Sequence, residues 1–304
     1  MKLEFNSNFY LADKPKTWTS QDLCTKFRKN YKFAKVGHSG TLDPLATGLM
    51  LLATNKYTKL FDYIDDTTKN YRVEALLGFE SETLDIMSEM NKTDDIVAVD
   101  HNDDIKKFFE SKLGKSQQQP PKYSAVKVKG KRLYKYARQN KDVDIPMRDI
   151  EIFNIENISY DLNIVTFDIK VSKGTYIRTI VRELGEFINS TAIVNNLKRI
   201  NIGSLSAEDT RLISNVETLI NDSIIESIHW SEIIGLKELK VKENQIENIR
   251  NGNLIDSNEF SSREKFAISF NNNLIAIYEP FSEDFFKPDK VFIWIYMSTF
   301  QVKM

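Results

Sequence analysis

The residues best suited to chemistry lie in one short run from Lys35 to Gly48, which reads Lys-Val-Gly-His-Ser-Gly-Thr-Leu-Asp-Pro-Leu-Ala-Thr-Gly. The run contains three glycines, one histidine and three hydroxyl residues, but only one acid, Asp43. Glycine lets a ligand approach the backbone closely, and the Asp43-Pro44 pair keeps the acid out of the helical region. A lone carboxylate held in such a turn is typical of a nucleophile or a general base. The same composition also occurs in ordinary surface turns.

A second candidate is Arg178, which lies where a predicted strand gives way to a helix. The local sequence, Lys173-Gly174-Thr175-Tyr176-Ile177-Arg178, predicts a sharp strand-to-helix junction with Thr175 as the N-cap. The backbone donors and the positive dipole end of the first helical turn favour an anion there. Arg178 could equally form an ion pair with a surface acid.

Charge is segregated along the chain, although the formal net charge is only −1. Residues 111–141 carry ten basic side chains and no acid, and residues 23–42 carry five and no acid, whereas residues 80–104 carry nine acids and one lysine. Tyrosines 123, 134 and 136 lie within the first basic segment. Cations interleaved with rings suit RNA, because they pair with phosphates and stack on bases. Solvated surface faces are the alternative interpretation.

Composition narrows the class of protein. The chain has 304 residues, of which 41% are hydrophobic and 28% charged, and this predicts one large globular domain with or without a small appendage. No apolar stretch reaches membrane-spanning length, and residues 1–6 lack the apolar run of a signal peptide. Cys24 is the single cysteine, and the three histidines (38, 101 and 229) are far apart. We therefore expect a cytoplasmic protein that binds no metal and enters no membrane.

Hydrophobic periodicity predicts both helices and strands in the first 235 residues. Thr19 and Asp22 form a capping box before a helix that places Leu23, Phe27 and Tyr31 on one face. Seven further elements are predicted: a buried strand over 49–53, a helix over 57–64, a half-buried strand over 70–79, a helix with Ile105, Phe108 and Phe109 on its apolar face, a pair of strands over 149–160 and 164–172, and a helix from the junction through Phe187.

Two segments have a different character. Gln117 to Pro121 breaks regular structure, so the basic segment after it is expected to be an exposed, mobile arm. After about residue 235, short alternating runs at 239–241, 266–270, 274–278 and 291–295 are separated by Asn/Gly-rich turns, which predicts a small, barrel-like all-β unit. The acidic stretch 208–232 is expected to be the helical lead-in to it.

Six motifs follow one another along the chain. They are Asp13-Lys14-Pro15 with Trp18-Thr19-Ser20; Val36 to Gly48; Lys69-Asn70-Tyr71; Pro120 to Lys127 with Gly130 to Tyr134; Gly174 to Arg178; and Leu197-Lys198-Arg199. In this order they resemble the TruB family of bacterial tRNA pseudouridine synthases, and they cover most of the chain.

The resemblance implies both a fold and an activity. The fold would be the α+β pseudouridine synthase fold, with a mixed, largely antiparallel central sheet flanked by helices and loops. Residues 1–235 would form the catalytic domain, with a basic thumb-like arm at about 119–148, and residues 236–304 a small PUA-like RNA-binding β domain. The activity would be that of an isomerase (an intramolecular transferase) that converts uridine 55 in the TΨC loop of tRNA to pseudouridine. The T-arm of tRNA would be the partner of a monomeric enzyme without a cofactor.

The resemblance also implies roles for individual residues, by position in the motifs. Asp43 corresponds to the catalytic aspartate, Arg178 to the arginine that pairs with it, and Tyr71 to the tyrosine that stacks on the target base and takes part in proton transfer. Tyr176 and Leu197 correspond to residues lining the uracil pocket, His38 to the histidine that holds the T-loop open, and Lys14 to a substrate-binding lysine near the active site. The RNA-binding cations of the thumb would be Lys127, Lys129, Lys131 and Arg132.

The implied chemistry suits these residue types. The C1′–N1 bond of uridine must break, the base must rotate without escaping, and it must rejoin through C5, which requires a pocket closed to water. A carboxylate could add to the base at C6, attack C1′ or remove a proton beside C1′, and the sequence leaves these routes open. A neighbouring guanidinium favours the ionised form of a buried carboxylate. Flipping the base out of a folded loop costs about a few kcal/mol, which contacts to the RNA would offset.

Two departures and two alternatives accompany the resemblance. Thr17 stands where the family usually has glycine, and residues 79–85 keep only Thr83 and Asp85 of a Thr/Asp-rich run, which questions the positioning of that loop but not the reaction. An RNA-guided pseudouridine synthase shares the aspartate loop, but Pro44 to Gly48 and Tyr123 to Tyr134 resemble the bacterial type. Activity on bare tRNA without a guide RNA would separate the two. An RNA-folding chaperone that uses the same surface is the other alternative.

Overall fold

The computed structural model describes residues 7–64, 66–95, 98–139, 141–214, 216–218, 225–257 and 263–292. The strands are β1 Phe9–Lys14, β2 Val36–Ser39, β3 Thr47–Thr54, β4 Thr68–Leu77, β5 Phe79–Ser81, β6 Met90–Lys92, β7 Gly114–Gln118, β8 Lys127–Val128, β9 Lys131–Arg132, β10 Arg148–Asp161, β11 Ile164–Ser172, β12 Ala192–Ile202, β13 Leu205–Ser206, β14 Lys237–Lys240, β15 Ile255–Asp256, β16 Phe266–Phe270, β17 Asn273–Pro280 and β18 Phe285–Val291. The α-helices are α1 Ser20–Tyr31, α2 Asn102–Lys112, α3 Leu133–Ala137, α4 Ile177–Phe187, α5 Trp230–Ile233 and α6 Ile246–Arg250.

A nine-stranded sheet organises the larger part of the chain. Seven strands follow the order β1-β3-β12-β4-β11-β10-β7, while β2 pairs with β3 and β13 with β12. Only the β3–β12 pairing is parallel, and all others in this sheet are antiparallel. The expected mixed, largely antiparallel sheet is therefore confirmed.

Local sequence explains why the central elements form. In β4 the residues Tyr71, Val73, Ala75 and Leu77 are buried and alternate with more exposed neighbours, as the period of two predicts. All but the first residue of β3 are buried, because this strand is covered on both faces. Helices α1, α2 and α4 pack their apolar faces against the same core, and the capping box that begins α1 is present.

A second sheet, of order β14-β16-β17-β18-β15, forms the C-terminal part. Its core is continuous with the larger part, because Phe9 and Tyr57 share one buried cluster with Ala267 and Ile277. The proposed boundary near residue 235 lies between α5 and β14 and stays a prediction. Of the expected strand at 291–295, residues 293–295 lie outside the described residues.

Three local predictions were wrong. Residues 57–64 form no α-helix but lie in two short 3₁₀ turns, Asn55–Lys59 and Phe61–Tyr63. The N-cap of α4 is Tyr176 rather than Thr175. The described parts of 208–232 contain only a three-residue 3₁₀ turn and the start of the four-residue α5, not a helical lead-in, since Asp209 and Arg211 form a side-chain-bonded turn there.

Gly48 is a position that the sheet reserves for glycine. It lies at the parallel contact of β3 with Arg199 of β12, and its φ is +101°. A Cβ built at this position would lie 2.3 Å from the Arg199 carbonyl oxygen and 2.8 Å from its nitrogen. A side chain here would therefore separate the two strands that meet beneath the Asp43 loop.

We predict that Gly48→Ala lowers the free energy of unfolding by roughly 3 kcal/mol or more, since it combines left-handed strain of about 1–2 kcal/mol with a backbone clash. Gly114→Ala is the matched control: its φ is +91°, but an added Cβ meets nothing within 4 Å. Urea denaturation of both variants measures the difference. Equal losses would contradict the close strand contact.

Candidate active site

The sheet, the glycine-rich loop and the start of α4 enclose a cavity of about 270 Å³. Its lining residues are Gly40, Thr41, Leu42, Asp43, Lys69, Tyr71, Ser124, Ala125, Ser172, Lys173, Gly174, Thr175, Tyr176, Ile177, Arg178, Leu197 and Arg199. This volume lies near the lower end of small-molecule pockets, so the cavity suits one nucleotide rather than a folded RNA segment. Residues from five distant parts of the sequence therefore meet around one small space.

Hydrogen bonds from behind hold the loop that carries Asp43. The Ser20 hydroxyl donates to the Leu42 carbonyl (3.2 Å) and accepts from the Leu42 N–H (3.0 Å). The Pro44 carbonyl accepts from the Thr17 N–H (2.8 Å). The residues on both sides of Asp43 are thus anchored through their backbone, which fixes the carboxylate without occupying it.

Asp43 forms an ion pair with Arg178, with 2.8 Å between Oδ2 and Nε. The guanidinium is 5% exposed and is oriented by two carbonyls: Nη1 donates to Thr83 (2.8 Å) and Nη2 to Tyr123 (3.0 Å). Three separate segments therefore converge on one cation. The alternative interpretation, in which Arg178 pairs with an acid on the protein surface, is wrong, because its partner Asp43 lines the cavity.

Burial and neighbouring charges shift the pKa of the Asp43 carboxyl in opposite directions. Although 36% of the Asp43 side chain is open to the cavity, desolvation raises the pKa of its carboxyl above the ordinary value, and the buried carboxylate of Asp85 raises it further. The charges of Arg178 and, more weakly, Lys14 lower it. The guanidinium therefore offsets part of the effect of burial, and the pKa of Asp43 stays above its ordinary value.

Tyr71 and Leu197 form the wall supplied by the sheet. Tyr71 lies on β4 between Ile169 and Arg199, and Leu197 lies on β12 opposite Val73. Both line the cavity and are at most 8% exposed. Burial raises the pKa of the Tyr71 hydroxyl, so this group carries its proton at neutral pH. An aromatic and an aliphatic surface thus face the space beside Asp43.

Tyr176 completes the wall at the start of α4. Its backbone is held by the Gln118 side chain, which accepts from the Tyr176 N–H (2.8 Å) and donates to the Tyr176 carbonyl (3.1 Å). Gln118 is 2% exposed and replaces the missing side-chain cap of the helix. The sequence analysis noted Gln118 only as part of a run expected to break regular structure. Nothing in the local sequence indicates that its side chain binds the end of a helix.

Two of the residues expected to bind the substrate nucleotide or the T-loop, Lys14 and His38, lie outside the cavity lining. Lys14 is fully buried, and its Nζ donates to the carbonyls of Pro15 (2.8 Å), Trp18 (2.6 Å) and Pro44 (3.4 Å). These contacts place Lys14 behind the Asp43 loop, which it helps to hold, and its role in substrate binding stays a prediction. His38 lies on β2 opposite Leu52, with its Nδ1 buried and without a hydrogen-bond partner among the described residues.

Comparisons with known proteins agree with this arrangement. A family model described as TruB family pseudouridylate synthase (N terminal domain) matches residues 28–177. A protein named tRNA pseudouridine synthase B from Oceanobacillus iheyensis is 35% identical over 288 residues, which cover 92% of this chain and 95% of the relative. This chain belongs to the TruB family. A relative of the same name from Mycoplasma mobile is 39% identical over 249 residues, covering 81% of this chain and 82% of its own.

Solved structures confirm the α+β pseudouridine synthase fold expected of a TruB-family chain. A Cbf5-Nop10-Gar1 complex contains a chain with a TM-score of 0.63 and 19% identity, and an H/ACA RNP bound to a substrate RNA containing 2'-deoxyuridine contains one with a TM-score of 0.64 and 19% identity. Each match covers 94% of this chain and 84% of the other. At this identity the likeness concerns the fold alone.

The basic segment expected to form a thumb in this TruB-family chain contains a hairpin followed by a short helix. Strands β8 and β9 are joined by Lys129 and Gly130, both with positive φ, and α3 follows directly. Lys127, Lys129 and Arg132 are exposed, and Lys131 lies 4.7 Å from the centre of the Tyr136 ring. The expected basic arm thus contains regular structure, with three of these four cations exposed and the fourth packed against a tyrosine ring.

Sequence reasoning missed two charged residues at the cavity wall, although both lie within motifs it had noted. Arg199 is fully buried beside Tyr71 and donates to the Leu49 carbonyl (2.8 Å) and twice to the Gly40 carbonyl (3.1 Å each). Lys69 is 6% exposed, and desolvation lowers the pKa of its ammonium to about 8. Their burial depends on the fold and is invisible in the motif.

Neither a metal-binding group of side chains nor a membrane-spanning helix is found in the described part of the chain. It holds no group of three or more His, Cys, Asp or Glu side chains placed to bind a metal ion. It also holds no helix long and apolar enough to cross a membrane.

Thr17 generates a stability prediction. Its φ is +72°, a region that disfavours a β-branched residue, and its side chain is exposed. Because glycine adopts this conformation without the clash of a Cβ, we predict that Thr17→Gly raises the free energy of unfolding by about 1 kcal/mol. Thr166→Gly, in the extended strand β11, is the control and should lower it by about as much. Thermal melting reports both, and destabilisation by Thr17→Gly would contradict the strain.

Proposed function

We propose that this chain isomerises uridine 55 in the TΨC loop of tRNA to pseudouridine, acting alone on the T-arm as a cytoplasmic monomer. Membership of the TruB family makes it a pseudouridine synthase. The position of the target and the role of each residue are the proposed part. The observation that supports them best is the ion pair of Asp43 and Arg178 in a cavity of single-nucleotide size.

The reaction needs no co-reactant, because substrate and product have the same atoms. The C1′–N1 bond breaks, the C1′–C5 bond forms, and N1 gains a hydrogen as C5 loses one. The base must stay bound while it is detached, and the buried Tyr71 and Leu197 together with the half-buried Tyr176 provide the walls that retain it. Asp43 is the only carboxylate among the residues that line the cavity, so it meets the base or C1′ first.

Arg178 and Tyr71 support this step in different ways. Arg178 favours the charged form of Asp43 and fixes its orientation through the Thr83 and Tyr123 carbonyls. The protonated Tyr71 hydroxyl, beside Arg199, is the proposed group for exchanging a proton with the base. His38 and the thumb cations are proposed to hold the RNA around the flipped nucleotide.

We predict that Asp43→Asn abolishes pseudouridine formation on an unmodified tRNA transcript, with a loss of roughly 10⁴-fold or more, because the amide cannot act as a nucleophile or base. Affinity for tRNA should stay within about threefold, since the amide keeps the shape of the carboxylate. Asp161→Asn, at an exposed hairpin, is the matched control and should retain full activity. Turnover near wild type in Asp43→Asn would refute its role. Mapping the product by position tests residue 55, and activity on the bare transcript separates this enzyme from an RNA-guided one.

The thumb gives a second prediction. Replacing Lys127, Lys129, Lys131 and Arg132 with alanine should weaken tRNA binding and reduce the slope of log K against log salt by about 0.9 for each lost phosphate contact. Replacing Lys106 and Lys107 on α2 removes exposed cations far from the motifs and should leave the slope unchanged. Filter binding between low and moderate salt measures this. If the slope is unchanged after all four residues have been replaced, the thumb does not contact phosphates.

A further inference from the structure

Asp66 is a buried acid that lies outside every recognised motif. It is 4% exposed and lies two residues before the start of β4. It does not line the cavity, yet its side chain contacts residues on two sides of it. One side is the glycine-rich loop, which carries Asp43, and the other is the strand-to-helix junction, which leads to Arg178. Asp43 and Arg178 form the ion pair of the proposed active site.

The first contact of Asp66 reaches the glycine-rich loop. The Ser39 hydroxyl donates to Oδ2 at 3.0 Å, and Ser39 is itself only 5% exposed. Ser39 ends β2 and directly precedes Gly40, where the loop to Asp43 begins. A buried hydrogen bond to a charged acceptor is among the stronger kinds, so it defines where the loop leaves the sheet.

The second contact reaches the junction. Lys173 lies between β11 and α4, and its Nζ is 2.8 Å from Oδ1 of Asp66. The Lys173 N–H also donates to the Thr67 carbonyl at 2.8 Å. Residues 66 and 67 thus hold the junction through a side chain and a backbone group, five residues before Arg178.

The Asp66 carboxylate compensates the positive charges of the cations around it. Lys69 Nζ lies 3.9 Å from Asp66 Oδ2, and the fully buried Arg199 also feels its charge. Both cations pack against Gly40, since a Cβ there would lie 3.2 Å from Arg199 Nη1 and 3.3 Å from Lys69 Nζ. Without a carboxylate at position 66, three cations would lie around the loop with less compensation.

We propose that Asp66 is a positioning residue: its carboxylate clamps the glycine-rich loop to the strand-to-helix junction and thereby fixes the separation of Asp43 and Arg178. This inference rests on the proposed function, because it concerns the rate of that reaction. The two oxygens serve the two loops separately, so each half of the clamp can be removed alone. Misplacement of a reacting group by about 1 Å can cost as much as 10²-fold in rate.

The first test is Asp66→Asn, which keeps the shape and loses the charge. The single-turnover rate of pseudouridine formation should fall by about 10- to 100-fold, while the Kd for tRNA changes by less than about threefold. The exposed Asp161→Asn variant is the control. A purely structural role would lower the melting temperature but leave the rate of the folded protein intact. That result, or a wild-type rate, would overturn the proposal.

Two milder variants keep the test decisive if Asp66→Asn does not fold. Ser39→Ala should slow the single-turnover rate at unchanged affinity, and Lys173→Met should slow it in the wild-type background but not further in Asp66→Asn. Lys170→Met, exposed on β11, is the charge-matched control. Full rates in both Ser39→Ala and Lys173→Met would overturn the clamp. Absence of pseudouridine with the wild type and the controls would instead refute the proposed function.

Discussion

The arrangement of the site depends on one ion pair, between Asp43 and Arg178, at the wall of a small cavity. Desolvation raises the pKa of Asp43, and the neighbouring Asp85 carboxylate adds to this, so without compensation the acid would tend towards its neutral form. Arg178, at 2.8 Å, supplies the compensation. A buried arginine is itself costly unless its other donors are satisfied, which explains why its two terminal nitrogens bind the carbonyls of Thr83 and Tyr123. The thumb and the 79–85 loop are thus part of the same electrostatic unit.

The central sheet brings these groups together through its single parallel contact. Strands β3 and β12 meet at Gly48 and Arg199 without side-chain separation, because glycine leaves the space that Arg199 backbone atoms occupy. This places Arg199 under the glycine-rich loop, where it binds the Gly40 carbonyl, and beside Tyr71 on β4. The loop is therefore held from the sheet by Arg199, from α1 by Ser20 and from β1 by Lys14. Each support uses the backbone of the loop, so the Asp43 side chain stays available.

Sequence alone could predict much of this, and its failures have one cause. Periods of two and 3.6 identified β4, α1 and α4, and the motifs identified Asp43 and Arg178 as partners, because both signals are local or shared by a family. The roles of Lys14 and Gln118 could not be predicted, since each depends on carbonyls and helix ends supplied by tertiary packing. The helix predicted over 57–64 failed for a related reason. Its apolar residues Tyr57, Leu60 and Ile64 share a buried cluster with residues of the C-terminal sheet, but the segment forms two short 3₁₀ turns that leave out Leu60 and Ile64.

The two departures from the family pattern fall where the backbone makes the functional contact. Thr17 supports the Asp43 loop through its N–H to the Pro44 carbonyl, which any residue that tolerates positive φ can provide. In the 79–85 loop, Arg178 binds the carbonyl of Thr83, not its side chain. The two residues that this loop retains are those whose side chains shape it: Thr83 Oγ1 donates to Asp85 Oδ1 at 2.6 Å, and the same oxygen accepts from the Met87 N–H at 3.0 Å. Ser81 adds to this support, because its hydroxyl donates to the Asp85 carbonyl at 2.7 Å and accepts from the Asp85 N–H at 3.1 Å. Several side chains therefore fix the position of the one carbonyl that meets the guanidinium.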